Sequence, residues 1–208
     1  MTNGIRVEPL PGLCVLALRA EFASPMSALP VLPVPTDVPL QDDVLRTSVR
    51  DMLRQRGYRP TGRGKPSSEY LVGALADGRW PCINAAVDAG NHVSLRSGLP
   101  ISVVDLDLVS GALSVVTSPD GASYVFNQGG QTIDLGGLVC LCDELGPCAN
   151  AVKDAQRTKT RPETTRVLAV VWGCDAGQPG RTQRAADLLA AALQSAGAAV
   201  EVVPVEVG

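Results

Sequence analysis

Four short runs decide how this chain is read: Pro81-Cys82-Ile83-Asn84, Val87-Asp88-Ala89-Gly90-Asn91-His92-Val93-Ser94-Leu95, Ser97-Gly98-Leu99-Pro100 and Asp105-Leu106-Asp107. Read for local structure, Ile83 to Val87 is expected to open a β-rich middle portion. In such an extended segment Asn91 and His92 would point to opposite sides, because neighbours along a strand alternate. Downstream, Leu113–Thr117 and Ser123–Phe126 flank Ser118-Pro119-Asp120-Gly121, a hairpin signal in which Pro sets the turn and Gly accepts positive φ. Leu138–Cys142 and Val167–Trp172 read as further short buried strands.

Upstream, Leu13–Arg19 reads as a first strand. Pro25, Pro30, Pro33, Pro35 and Pro39 make 25–39 an extended connection, since proline removes amide donors and fixes φ. Asp42 or Asp43 can cap a helix running to about Gln55, with Leu45, Val49, Met52 and Leu53 inward, Val44 beside them, and Gly57 as its stop. Lys65-Pro66-Ser67-Ser68-Glu69 reads as a serine-capped start of a second helix, ending at Asp77-Gly78. A last helix is expected from about Thr182 to Ala196, then Gly197 and a strand over 200–205. Strands in the middle with helices toward the ends indicate an α+β fold.

Composition bounds the function. The chain has 208 residues, 45% of them hydrophobic, enough for a core. No apolar run approaches the roughly 20 residues of a membrane span, and Met1–Pro11 lacks the features of a secretory signal. A soluble, cytoplasmic protein with no membrane partner is therefore expected. Aromatics at 3% argue against base-stacking platforms. The net charge is −3, yet 42–65 carries seven basic residues against three acids and 153–166 carries five against two, leaving −10 for the rest. Arg46, Arg50 and Arg54 recur every four residues and would form one positive stripe on a helix, a candidate RNA-binding ridge. Solvated surface charge explains the same pattern equally simply.

Generic chemistry motifs fail. Cys140, Cys142 and Cys148 are close together, but Cys-x-Cys is tighter than zinc-ligand spacing and His92 is the single histidine. Burial as small hydrophobes is the expectation for these thiols, with metal or redox use as the alternative. No Gly-x-Ser-x-Gly elbow exists, Gly62-Arg63-Gly64-Lys65 lacks P-loop spacing, and the glycines at 173, 177 and 180 miss G-x-G-x-x-G. No metal or cofactor is expected.

The ordered runs from Lys65 to Trp172, with Leu138-Val139, Asp143, Gly146, Glu163-Thr164 and Val167-Leu168, resemble the B3/B4 domain of the phenylalanyl-tRNA synthetase β subunit, in free-standing form. The resemblance implies a B3/B4-like β-sandwich of unusual topology flanked by helices. One such domain would span 1–208, with the proline-rich connection at 25–39 and a C-terminal helix–strand extension at 174–208. It leaves no room for a synthetase catalytic domain or a DNA-binding-type domain, so DNA is not an expected partner. It implies an editing site that hydrolyses the ester of a mischarged aminoacyl-tRNA, here acting in trans.

By this resemblance Asn91 matches the family's pocket asparagine. The family's threonine before it is Gly90 here, its histidine two residues after the proline is Ser102, and its late-strand acid falls near Val170. These departures leave the amino acid unassigned, because a site without its polar readers loses discrimination. Asn91 and Asp88 are the candidate catalytic residues, Asn91 to hold water or an amino group and Asp88 to pair the substrate ammonium. Asn84, Gly90, His92, Ser102, Asn150, Lys153 and Arg157 are candidate substrate-binding residues. The expected partners are tRNA or aminoacyl-tRNA and a small amino-acid-like ligand. The alternative is a module that binds an amino acid, another small ligand or tRNA without hydrolysis.

Overall fold

The computed structural model describes residues 4–36, 42–175 and 177–208; Pro39, at the end of the proline-rich connection, and Ala176 lie outside them. Eleven strands are described. One sheet has the order β11(Val205–Val207)-β1(Ile5–Val7)-β4(Leu113–Thr117)-β7(Val139–Asp143)-β8(Gly146–Asn150). In it β1 runs parallel to both neighbours, and the remaining pairs are antiparallel. The second sheet, β10(Ala198–Val203)-β2(Cys14–Phe22)-β9(Arg166–Gly173)-β3(Ile101–Asp105), is antiparallel throughout. A two-stranded ribbon, β5(Ser123–Val125) with β6(Thr132–Asp134), stands apart.

The central strand β9 explains the layering. Val167 to Trp172 are all buried, so both faces of this strand are covered. Helix α4 (Arg181–Ser195) packs on β2 and β9, and α3 (Ala85–Ser97) packs on β3 and α4. The two sheets meet where β3 touches β8 and β2 touches β11, and they share one continuous core. The result is the expected α+β sandwich flanked by helices. The segment 174–208 is woven into both layers, since β10 pairs with β2 and β11 with β1.

Helix α1 (Asp43–Arg54) forms as its capping residues dictate. Asp42 Oδ1 accepts from Leu45 N at 2.9 Å, and Gly57, at φ +93°, donates to the Arg54 carbonyl. Leu45, Val49, Met52 and Leu53 are buried as their spacing predicts, whereas Val44 is exposed. Helix α2 (Ser67–Ala76) starts without a side-chain cap; Pro66 holds the cap position and Ser67 N bonds the Ala151 carbonyl instead. Arg50 reaches across to Glu69 in its first turn.

Two sequence expectations are corrected. Residues 83–97 are not β-structure. Asn84 Oδ1 accepts from Val87 N at 3.0 Å and starts α3, which Gly98 ends in the left-handed region at φ +73°. The apolar run Ile83 to Val87 imitates a strand, but the cap chemistry of Asn84 wins. A turn forms one residue later than expected, over 119–122 with Ala122 N bonding the Pro119 carbonyl, and it closes no hairpin between the flanking strands. Both edges of β4 are already taken by β1 and β7, so β5 pairs with β6.

Candidate active site

A cleft of about 750 Å³ opens between α2, α3, the 62–65 loop, β3, the β5–β6 ribbon and the 152–160 segment. Its apolar wall comes from one face of α3, where Val87, Gly90 and Asn91 follow helical spacing, set against Ile101 and Val103 of β3. Gly90 permits this approach. A Cβ there would lie 2.9 Å from Val103 Cγ2. Gly90 thus acts by having no side chain. Gly90→Ala is expected to lower stability by about 1 kcal/mol in urea unfolding. Overpacking costs about 1–3 kcal/mol, and the gain in helix propensity offsets about 1 kcal/mol of it.

The polar side of the cleft holds Asn91, Lys153, Asp154, Lys159, Arg63 and Lys65. Asn91 is half-buried, and among the described residues its side chain makes no hydrogen bond. Lys153 Nζ donates to the Arg63 carbonyl at 2.7 Å and lies 4.6 Å from the centre of the Phe126 ring. Lys159 Nζ donates to the Phe126 carbonyl at 2.7 Å. Burial pushes both lysine pKa values down; the like charge of Arg63 adds to this at Lys153, and Asp154 opposes it at Lys159.

Asp154 is the most perturbed acid of the cleft. Burial pushes its carboxyl up to about 6, against the opposing pull of the Ser102 hydroxyl and the Lys159 charge. Ser102 Oγ lies 2.7 Å from Asp154 Oδ1, and the amides of Asn150 and Val103 also point at the carboxylate. A carboxylate so desolvated, facing a cleft, suits proton transfer near neutral pH.

Of the residues expected from the sequence, the cleft brings together Gly90, Asn91 and Lys153. Three more lie behind its wall. Ser102 is buried and bonds Asp154. Asn150 Oδ1 accepts from Val152 N and Lys153 N, which shapes the turn that carries Lys153. Asn84 caps α3 and donates to Thr160 Oγ1 of the cleft wall at 2.9 Å.

The others do not line the cleft. Asp88 is fully buried and accepts from Ile83 N at 2.8 Å and Leu32 N at 3.3 Å, so it ties the proline-rich connection to α3. His92 follows Asn91 on a helix, not a strand. Its ring packs edge-on to Trp80, with centroids 5.5 Å apart, and burial lowers its pKa. Arg157 is locked to Asp143 by two bonds, at 2.9 and 2.7 Å. The arginine stripe of α1 exists but is neutralised, with Arg46 on Asp43, Arg50 on Glu69 and Arg54 on Asp51.

Asp154, Lys159, Arg63 and Lys65 also line the cleft, and the sequence reading gave none of them an individual site role. The signal for Asp154 was an acid directly after Lys153, one of only two in the basic 153–166 segment. Cys140 and Cys148 are buried, and burial raises all three clustered thiols, Cys140 to about 12 and Cys142 to about 11. Among the described residues no group of three or more His, Cys, Asp or Glu side chains is placed to hold a metal ion. No helix among them is long and apolar enough to cross a membrane.

The sequence and the fold have counterparts. The chain is similar to the phenylalanine–tRNA ligase β subunit of Cutibacterium acnes, 28% identical over 156 residues that cover 73% of this chain and 18% of that protein. Its fold is similar to an N-terminal fragment of the phenylalanyl-tRNA synthetase β subunit from Pyrococcus horikoshii. The TM-score is 0.53 at 11% identity, over 97% of this chain and 51% of that one. This chain thus spans under a fifth of the curated relative's length. The B3/4 domain family matches residues 56–195, a stretch that contains the whole cleft, and the protein belongs to that family.

Proposed function

We propose that the protein hydrolyses, in trans, the ester of a mischarged aminoacyl-tRNA in the cleft of Asn91 and Asp154. The observation that carries this reading is the meeting of a carboxylate poised near pH 6, an uncommitted amide and a cationic rim in one hollow. An aminoacyl ester is already activated, so orienting water and polarising the carbonyl suffices without a side-chain nucleophile. In this reading Asp154 takes the proton of the attacking water as the new C–O bond forms, and returns it to the ribose oxygen as the ester bond breaks. Asn91 orients that water or the substrate's amino group. Lys159 stabilises negative charge developing on the carbonyl oxygen. Arg63, Lys65 and Lys153 receive the terminal phosphates.

The test is deacylation of a panel of mischarged tRNAs by purified protein. Turnover of at least one ester, lost in Asn91→Ala, is expected; no turnover on any of them overturns the reading. Binding of an amino acid in calorimetry without turnover would favour the ligand-binding module instead. Three phosphate contacts on the single-stranded acceptor end further predict that tRNA affinity falls about 20-fold between 50 and 200 mM salt. A filter-binding series checks this, and a flat response would remove the cationic rim from the account.

A further inference from the structure

Behind the cleft wall a hydrogen-bond chain begins in the core and ends on Asp154. Trp172 is fully buried on β9, and its Nε1–H lies 2.9 Å from Ser102 Oγ. Indole nitrogen only donates, so Ser102 accepts at this contact. The single hydroxyl proton of Ser102 then has two takers: Asp154 Oδ1 at 2.7 Å and the Asn150 carbonyl at 3.1 Å. A charge-assisted bond is the shorter and stronger of such a pair, so the proton goes to the carboxylate. β3 is an edge strand of its sheet, and its Val103 amide also turns toward Asp154. The carboxylate therefore sits against the outer edge of β3, beside the bridge that Val104 makes with Lys159.

We propose that Ser102, itself oriented by Trp172, is a positioning residue that aims the Asp154 carboxylate into the cleft and holds it ready to accept a proton. This rests on the reading of Asp154 as the base, and extends it to a pair of side chains that touch no substrate. Other charged or titratable groups face Asp154 as well. Lys159 acts on it directly, Lys153, Arg63 and Lys65 share its cleft, and Tyr124, Cys140 and Cys148 sense its charge from the core side. Removing the Ser102 hydroxyl also takes a partner from the Trp172 indole N–H and the Asn150 carbonyl, so variants that keep a donor at this position serve as controls.

The experiment is a ¹³C titration of the Asp154 carboxyl, assigned by its loss in Asp154→Asn, run beside the pH profile of ester hydrolysis. Removing one charge-assisted bond in Ser102→Ala is expected to raise the Asp154 midpoint by about one pH unit. The acid limb of the rate profile should move with it. Ser102→Thr, which keeps the hydroxyl, should titrate like the parent. Ser102→Cys, a weak donor of similar size, should fall between and serves if the alanine variant does not fold. An unmoved midpoint in the alanine or cysteine variant, or a threonine variant that shifts as much as they do, overturns the proposal. If the midpoint moves but the parent protein hydrolyses no ester, the positioning role stands and the reading of the cleft as a hydrolase falls.

Discussion

Asp154→Asn is expected to slow ester hydrolysis by a factor of about 10²–10⁴ while making the fold more stable at pH 8. The two effects have one cause. Burial raises the Asp154 carboxyl from 3.8 to about 6, so the folded protein holds this proton more tightly than the unfolded chain does. As pH climbs through 4 to 6, the unfolded state deprotonates first and gains relative to the fold. Above that window the parent carries a penalty of about 2–3 kcal/mol that a neutral amide escapes. Urea unfolding at several pH values should show parent and variant near equal at pH 4 and the variant ahead at pH 8. An advantage that is constant with pH, or none at all, would remove Asp154 from the role of a strained base. Full activity in the variant would do the same.

The second large effect lies outside the cleft. Arg157→Ala is expected to destabilise the protein by about 4 kcal/mol, because it leaves the fully buried Asp143 side chain without its cation. Burial alone would push this carboxyl up. Arg157 and the amides of Ser110 and Leu145 together hold it below the ordinary value. Arg157 also donates to the Gly146 carbonyl at 2.8 Å, at the start of β8, so the turn after β7 loosens with it. A depressed acid supports the fold above its unfolded pKa and loses that support as pH falls. The deficit of the variant should therefore shrink toward pH 3. Asp143→Asn in the Arg157→Ala background should recover part of the loss, since an amide is cheaper to bury than an orphan charge. Were Arg157 a contact for RNA instead, its removal would leave thermal stability intact and weaken binding.

The two substitutions also show what the sequence could reveal. Apolar spacing placed the inner face of α1 and the strands at 113–117 and 167–172, because burial imposes those periods directly. It failed at 83–97, where Gly90 and Asn91 are poor helix formers and Ile83 to Val87 look like a strand. Only the Asn84 cap betrays the helix. Among the cleft residues, Asn91 and Gly90 were legible from their place in the ordered runs, and Lys153 as a nearby polar residue of the basic 153–166 segment. Asp154 was not, since the groups that surround its carboxyl, the Ser102 hydroxyl and the Val103 amide of β3, come from a strand far from it in sequence. Arg46, Arg50 and Arg54 gave a false signal for the converse reason. Spacing aligns them, but Glu69, contributed by α2, and the acids of their own helix neutralise them. Charge in a sequence becomes charge on a surface only when no partner intervenes.

The most direct measurement is a crystal structure with a non-hydrolysable 3′-aminoacylamino adenosine bound. The account predicts the amide of this analogue in the cleft, its carbonyl carbon beside Asp154 and Asn91, and its ribose toward Lys153. An analogue seated on α1, or a cleft left empty at saturating concentration, would contradict it.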